Sequence, residues 1–271
     1  MTKIAIIARN PINSPNMTAN DAAILESISA ELTRLGAEVL PIGENDDIPS
    51  DTQVVCTMSR TASTIKRLKS AEEQGVIVVN STNAVGNCSR KCFMEILRSN
   101  SIPQPQYCII GSINEVDDNI FPCWIKKADG WSSHIDDVSF AQTREDANEI
   151  LSKLALRGIA ECIQMQHCPG DIVKFYGIGN DFFHYCYPGS TKFGKEEING
   201  APRHYSFDAG ILKTIAQKAA RAMGLEIYGG DAIITPQGGI YIIDMNDFPS
   251  FTAIRDIAAK EIAALIMNKT E

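Results

Sequence analysis

Three polar residues near the end of the chain have the types and the spacing of a magnesium site. Asp244 and Asn246 stand two positions apart in Tyr-Ile-Ile-Asp-Met-Asn, so a strand would point both side chains to one face. Asp231 lies in an earlier apolar run, which the turn sequence Pro-Gln-Gly-Gly joins to this one as a hairpin. Carboxylate and amide oxygens suit Mg²⁺ that is partly held by nucleotide phosphates. The pattern predicts a metal site, although polar strand ends facing solvent would look similar.

Two lysines are candidates for binding phosphate. Lys126 ends the apolar run Phe-Pro-Cys-Trp-Ile-Lys, where a lysine is unusual unless it faces a cleft or an anion. Lys127 beside it would point to the opposite face and take the solvent side. Lys91 lies on a predicted helix, where a solvated lysine is an equally good interpretation. Ammonium groups are compact charges with three donors, which suits nucleotide phosphates.

A short loop follows these strand lysines and is rich in small and hydroxyl residues. Gly130 and Ser133 could bring backbone N–H groups to a phosphate, but an ordinary Gly/Ser surface loop would look the same. His134 comes next and could contact a transferred phosphoryl group. A half-buried strand histidine is an equal alternative for His134.

Four residues are candidates for holding the substrate. Arg9 and Asn10 follow the first predicted strand, at the sheet edge where doubly wound folds bind ligands. Arg9 could hold a substrate carboxylate, and an ordinary loop arginine explains it equally well. Arg203 lies in a predicted loop and Arg255 follows the metal strand. Together with three further basic residues of the loop, Arg203 and Arg255 could bind one phosphate or carboxylate; these three are Lys192, Lys195 and His204.

Composition and charge limit the classes of function. The chain is 44% apolar and 21% charged, as in ordinary globular proteins, and its net charge of −8 disfavours nucleic-acid and anionic-membrane partners. We therefore expect a small-molecule substrate, and a homodimer is compatible with the sequence. No apolar run reaches the ~18 residues of a transmembrane helix, and the first residues predict a strand rather than a signal peptide. Eight cysteines without a C-x-x-C pair favour the cytoplasm.

The order of apolar segments predicts an α/β fold. Residues 1–85 alternate as β-α-β-α-β, which is typical of a doubly wound domain with a parallel sheet. One helix is expected from Asn87 to Ser99. Residues 106–165 are expected to form a small lid-like subdomain, and residues 166–271 a C-terminal subdomain that carries the metal site. The composition of residues 188–202 indicates a loop and allows it to close as a lid.

These motifs, taken in order, resemble the ATP-grasp superfamily over nearly the whole chain. Lys91 before Ile-Pro-Gln-Pro resembles the first ATP lysine of that superfamily, and Lys126 resembles the second. The loop at Gly130 resembles the mobile loop that closes over phosphates. Gln164 to Gln166 look like the hinge whose backbone reads adenine, and Lys174 lies on what resembles the following hairpin strand.

The resemblance implies an ATP-grasp domain over residues 86–271, in which two α+β subdomains sandwich ATP. It implies ATP and Mg²⁺ as cofactors, with Asp231, Asp244 and Asn246 as metal ligands. The implied nucleotide-binding residues are Lys91, Lys126, Gly130, Ser133, Gln164, Met165, Gln166 and Lys174. The implied catalytic residues are Lys126, Lys174 and His134.

Three activities remain open at the level of sequence. Most ATP-grasp enzymes are carboxylate–amine ligases that form an acyl phosphate, and this is our first expectation. Asp244, where ligases usually have glutamate, and Asn246-Asp-Phe-Pro249 resemble the inositol-phosphate kinase branch. Substrates with several phosphates need a dense Arg/Lys cluster, however, and the strand segment His184-Tyr-Cys-Tyr has no arginine. The third interpretation is an ATP-binding regulator without turnover.

Overall fold

Three four-stranded sheets form the framework of the chain. This computed structural model describes residues 2–14, 17–129, 134–188 and 198–270. The predicted loop residues Gly130 and Ser133, and most of the loop 188–202, lie outside the described residues. Among the helices that are described, none combines the length and the apolar composition needed to cross a membrane.

The N-terminal sheet is parallel, with the strand order β2-β1-β3-β4. Its strands are β1 (Lys3–Ile7), β2 (Glu38–Ile42), β3 (Val54–Thr57) and β4 (Ile77–Val79), and its helices are α1 (Thr18–Arg34) and α2 (Ala62–Glu73). Helix α1 buries Ile24, Ile28 and Leu32, which recur at helical spacing on one face. The doubly wound parallel sheet predicted from the sequence is confirmed.

A short helix, α3 (Thr82–Asn87), begins after Ser81, whose side chain accepts a hydrogen bond from the amide of Ala84. The helix that was expected from Asn87 to Ser99 follows it as α4 (Arg90–Ser99), which begins after Ser89, a residue with an extended backbone. The expected helix is present, and it starts at Arg90 rather than Asn87 because serine favours the N-cap position.

The second sheet, which we call the lid sheet, is antiparallel with the order β5-β8-β6-β7. It consists of β5 (Tyr107–Ile110), β6 (Cys123–Lys127), β7 (Val138–Ala141) and β8 (Cys162–Gln166), with helix α5 (Arg144–Leu156). A strand had been expected over 135–139, but residues Ile135–Asp137 form a 3₁₀ turn. His134 and Asp137 cap this turn reciprocally, and strand β7 begins only after it.

The third sheet, which we call the C-terminal sheet, is antiparallel with the order β10-β9-β11-β12. It consists of β9 (Asp171–Ile178), β10 (Phe182–Cys186), β11 (Ile227–Ile234) and β12 (Ile240–Asn246). Two helices complete the chain, α6 (Ala209–Met223) and α7 (Arg255–Asn268), and α7 packs against α1. The hairpin predicted at the end of the sequence is therefore present as β11 and β12.

Two apolar cores hold the three sheets together. One core joins the lid sheet to the C-terminal sheet and includes Trp124, Met165 and Ile243. The other joins α1 and the N-terminal sheet to Phe248 and α7. Residues of the C-terminal sheet contribute to both cores, so this sheet is the base on which the lid sheet and the N-terminal sheet are fixed.

Candidate active site

The predicted metal residues come together on one face of the C-terminal sheet. Asp231 on β11 lies directly opposite Asp244 on β12, and a register shift follows at Ala232. Asn246 lies opposite Gly229, on the same side of the sheet as Asp244. A Cβ atom at Gly230 would lie 2.3 Å from the Asp244 carbonyl oxygen, so close strand pairing here requires glycine.

Lys174 completes this polar row. It lies opposite Asp231 in the strand register, and its Nζ donates to Asp231 Oδ1 at 3.1 Å. The negative charge of Asp231 raises the pKa of Lys174 well above its usual value, and the opposing effect of burial is smaller. Lys174, Asp231 and Asp244 therefore lie side by side on three adjacent strands, and a lysine on this face carries its charge at any physiological pH.

The chemistry of this donor set fits magnesium. Two carboxylates on neighbouring strands and an amide on the same face provide hard oxygen ligands, and Mg²⁺ commonly takes the others from water and phosphate. Within the described residues no three His, Cys, Asp or Glu side chains converge to hold a metal on their own.

Lys126 faces the metal residues from the lid sheet. Its side chain is only 5% exposed, and its Nζ lies 3.5 Å from both the Ile243 carbonyl oxygen and the Met165 sulfur. The surrounding cleft between the two antiparallel sheets is narrow in this structure, with a cavity volume of about 20 Å³. Trp124 and Ile233 line the same cleft and give it apolar walls.

Arg90, and not Lys91, faces this cleft from helix α4. Arg90 lines a neighbouring part of the cleft together with Lys126 and Asp244, and its Nη1 donates to the Lys127 carbonyl oxygen at 3.1 Å. Burial lowers the pKa of Arg90, while the charge of Asp244 acts in the opposite direction. Lys91 instead donates to the carboxylate of Glu161 at 3.0 Å, away from the metal residues.

The side chains of Gln164 and Met165 lie on opposite faces of β8, the strand of the predicted hinge. Met165 and Gln166 line the cleft. The side chain of Gln164 is fully buried on the other face, where its amide exchanges two hydrogen bonds of 2.9 Å with the backbone of Asp117. Gln164 therefore secures a loop of the lid sheet, which leaves a nucleotide role to its backbone alone.

His167, the next residue along the hinge, also lines the cleft. Its Nδ1 accepts a hydrogen bond of 3.2 Å from the indole N–H of Trp124. Burial lowers the pKa of His167, so that the ring is neutral near pH 7. In a neutral imidazole whose Nδ1 accepts, Nε2 carries the proton, and His167 offers one donor at the hinge.

His134 lies at the start of the turn before β7. Its Nδ1 accepts from the backbone amide of Asp136 at 3.2 Å, and its own amide donates to Asp137 at 3.0 Å. About half of the His134 side chain is exposed. The ring therefore caps its turn, next in the chain to the residues outside the described ranges, which include Gly130 and Ser133.

The residues predicted to bind substrate mostly have partners within the chain. Arg9 donates to Asp21, to the Met58 carbonyl oxygen and to the Phe248 carbonyl oxygen, at 2.7–3.2 Å. Burial lowers the pKa of Arg9 to about 10, a cost that its neighbouring carboxylates partly offset. Asn10 donates to Glu44 at 3.1 Å. Arg9 thus connects the N-terminal sheet to the segment after the metal strand.

The other two candidate substrate residues lie apart from each other. The backbone amide of Arg203 donates to Asp171 at 2.7 Å, and its side chain is exposed. Arg255 at the start of α7 donates to Asn20 Oδ1 at 3.0 Å. Arg255 and Arg9 both contact α1, Arg255 through Asn20 and Arg9 through Asp21.

Solved structures of low sequence identity share this architecture over their full length. A D-alanine–D-alanine ligase of Bacillus anthracis, solved with ATP, matches 99% of this chain and 97% of its own at a TM-score of 0.74 and 13% identity. A RimK-domain ATP-grasp protein of Sphaerobacter thermophilus matches 97% of this chain and 99% of its own, at a TM-score of 0.72 and 15% identity. The chain has the ATP-grasp fold. The VanG D-Ala:D-Ser ligase of Enterococcus faecalis matches 98% of this chain and 98% of its own, at a TM-score of 0.73 and 16% identity.

Sequence comparison alone does not reveal the ATP-grasp relationship. No protein-family profile and no curated protein matches this chain. The likeness resides in the three-dimensional arrangement of the sheets, and this fold agrees with what the ATP-grasp motifs of the sequence imply. One residue of the cleft escaped those motifs: Arg90, whose direction depends on where α4 begins.

Proposed function

We propose that the protein is a Mg-ATP-dependent carboxylate–amine ligase that acts through an acyl phosphate. The observation that carries this proposal is the row of Lys174, Asp231, Asp244 and Asn246 on one face of the C-terminal sheet. Lys126 of the lid sheet lines the adjoining cleft together with Asp244. Ligases that act on D-alanine are among the proteins of the same fold, and one of them was solved with ATP.

The proposed reaction has two steps. A carboxylate oxygen of the first substrate attacks the γ-phosphorus of ATP, and the bond to the β-phosphate oxygen breaks. An amine then attacks the acyl carbon and phosphate leaves, while the amine gives up a proton to solvent or base. Magnesium would supply positive charge to the phosphates. The protein contributes mainly position and charge, because phosphoryl transfer requires little covalent work from it.

Each charged residue has a role that follows from its place in the cleft. Asp231, Asp244 and Asn246 would hold the metal. Lys126 and Arg90 approach from the lid sheet and from α4, and would offset negative charge as it spreads over the transferring group.

The internal partners of the arginines favour the ligase over a kinase for highly phosphorylated substrates. Arg9 is paired with Asp21, Arg60 with Asp247, and Arg255 with Asn20. The carboxylate partners of Arg9 and Arg60 offset their charge, so that of these three arginines only Arg255, whose partner is a neutral amide, would offer a full positive charge to several phosphates. A small-molecule kinase is the second candidate, because Asp244 and the segment Asn246-Asp-Phe-Pro resemble the inositol-phosphate kinase branch.

We also propose a cytoplasmic location and a small-molecule substrate. All eight cysteines are free thiols, which supports a reducing compartment. A homodimer, and the absence of nucleic-acid and membrane partners, stay predictions from the sequence.

One experiment separates the candidate activities. The protein is incubated with MgATP, pooled carboxylates and amines, and hydroxylamine as a trap. A hydroxamate product supports the ligase, and an acid-stable phosphorylated product supports the kinase. Absence of ATP consumption with every pool would favour an ATP-binding regulator and contradict both enzymes.

The metal assignment is tested by Asp244→Ala. Removal of this ligand should lower Mg-dependent ATP turnover by at least about a hundredfold, as the loss of one strong electrostatic contact does in other enzymes. Asp47→Ala, in an exposed loop of the N-terminal sheet, is the matched control and should retain full activity. Normal turnover in the Asp244 variant would remove the metal site from the proposal.

A further inference from the structure

Loops of the N-terminal sheet hold the chain immediately after the proposed metal strand. Arg60, which follows β3, forms an ion pair with the carboxylate of Asp247. Asn80, which follows β4, donates from its amide to the Asp247 carbonyl oxygen. Arg9, which follows β1, donates to the Phe248 carbonyl oxygen at 2.7 Å. The segments that follow three strands of the N-terminal sheet therefore converge on Asp247 and Phe248, the two residues directly after β12.

The ion pair between Arg60 and Asp247 is almost completely buried, and this burial calls for an explanation. The side chains are 7% and 1% exposed. Removing an ion pair from water is costly, and a well-packed apolar pair is often at least as stable. The location of the pair suggests its purpose, because Asp247 directly follows the proposed ligand Asn246.

Asn80 extends the same contact to the other metal strand. Its side-chain oxygen accepts from the amide of Ile227 at 2.9 Å, and its nitrogen donates to the Ile227 carbonyl oxygen at 2.7 Å. Ile227 begins β11, and Gly229 two residues later pairs with Asn246. The N-terminal sheet thus holds both strands at the end of the hairpin where Asn246 lies.

We propose that Arg60 is a positioning residue for the metal. By pairing with Asp247, Arg60 fixes the backbone where β12 ends and so sets the direction of the Asn246 side chain. The N-terminal sheet would then take part in metal binding as well as in the fold. The inference rests on the proposed metal site, and its test is designed so that the two can fail separately.

The test measures metal binding rather than turnover. Mn²⁺ takes the same oxygen ligands as Mg²⁺ and its binding can be followed by electron paramagnetic resonance, here with a non-hydrolysable ATP analogue. Arg60→Met should raise the Mn²⁺ Kd by about 10-fold, the lower end of the effect of losing a direct partner of a metal ligand, because Arg60 acts on Asn246 through Asp247. The Kd of the analogue without metal should change less than about 2-fold, a small fraction of that effect, since Arg60 does not line the described cleft.

Two further variants separate positioning from general stability. Leu32→Ala creates a cavity in the core around α1 but changes none of the polar contacts of Asp247, so it should lower Tm without changing the Mn²⁺ Kd. Asp247→Asn should weaken Mn²⁺ binding on its own but add little to Arg60→Met, because both act through one contact. Arg60→Lys keeps the charge and should recover part of the affinity.

The outcomes distinguish the inference from the proposed function. If wild-type Mn²⁺ binding is abolished by Asp244→Ala yet unchanged in Arg60→Met, the positioning role is wrong and the metal site stands. The role is also wrong if Leu32→Ala raises the Mn²⁺ Kd as much as Arg60→Met does. If the wild type binds no Mn²⁺ that depends on Asp244, the metal site and the inference are overturned together. An effect confined to Arg60→Met and Asp247→Asn supports the proposal.

Discussion

Lys126 and Lys127 show how one position along a strand separates two roles. Lys126 is buried against Ile243 and Met165 in the cleft, whereas Lys127 is half-buried on the opposite face of β6. Burial of an ammonium group is costly unless it meets a partner or a ligand anion. The lid side of the cleft therefore presents a positive charge where a phosphate would lie.

Lys126→Met should lower kcat/KM for MgATP by about 100- to 1,000-fold, because it removes a buried charge next to the transferring group. Lys127→Met, one residue later, is the matched control and should change kcat/KM less than about threefold, since its half-exposed charge interacts weakly with the cleft. Steady-state kinetics with both variants check this. Similar losses in the two variants would place Lys126 outside the site.

Sequence patterns predicted site residues where the local geometry is simple. Asp231, Asp244 and Lys126 follow from the two-residue period of strands, which needs no knowledge of the rest of the fold. The direction of the Arg90 side chain toward the cleft could not be predicted, because moving the start of a helix by one residue rotates each side chain by about 100°. The internal hydrogen bonds of Arg9 could not be predicted either, since one of its partners, the Phe248 carbonyl oxygen, is remote in sequence.

At the scale of elements, the hinge contains a titratable contact. Burial lowers the pKa of His167, and its Nδ1 must stay unprotonated to accept from Trp124. The unfolded chain binds a proton at the ordinary value of 6.5, whereas the folded chain does not until lower pH. The contribution of His167 to stability is therefore complete above pH 6.5 and declines as the pH falls through the folded pKa.

Tm of the wild type should accordingly decline below pH 6.5, and His167→Gln should flatten this part of the profile. Thermal unfolding between about pH 5 and pH 8 measures both curves. A variant that retains the full slope would show that other groups cause it.

The pairing of β9 with β11 depends on a close contact between glycine and tyrosine. A Cβ atom at Gly177 would lie 2.1 Å from the ring of Tyr228, which is fully buried. Because this pairing also brings Lys174 opposite Asp231, a displaced strand would disturb the metal residues.

Gly177→Ala should therefore lower the free energy of unfolding by about 1–3 kcal/mol, the usual cost of overpacking a core. Gly86→Ala in helix α3 is the control: nothing lies within 4 Å of the point where its Cβ atom would stand, and it should be neutral or gain up to ~1 kcal/mol from helix propensity. Urea unfolding compares the two. Equal stabilities would contradict the crowding at Gly177.

Strands were easier to predict from the sequence than the ends of helices. The apolar runs predicted β9, β11 and β12 with nearly their observed bounds. The late starts of α4 and β7 depend on single residues, Ser89 and His134. Such local features are hard to anticipate, because many polar residues that could begin a helix or turn do not do so elsewhere.

At the scale of the whole molecule, the C-terminal sheet joins two otherwise separate parts. Its apolar residues pack toward the lid sheet on one side and toward α1 and α7 on the other. The sequence predicted the parts and their order. It could not predict the contacts of Arg60 and Asn80 with Asp247, because these join residues more than 160 positions apart.

The ion pair between Lys174 and Asp231 has a consequence for the protein without metal. Two facing carboxylates would repel each other if nothing offset their charge, but Lys174 already provides a cation of its own. A chelator should therefore shift Tm by less than about 3 °C, the effect of roughly 1 kcal/mol in a chain of this size. Calorimetry with and without EDTA measures this, and a larger loss would mean that the metal supports the fold. If the shift in Tm is this small, chelation should abolish the proposed activity while the chain stays folded, and added magnesium should restore that activity without refolding.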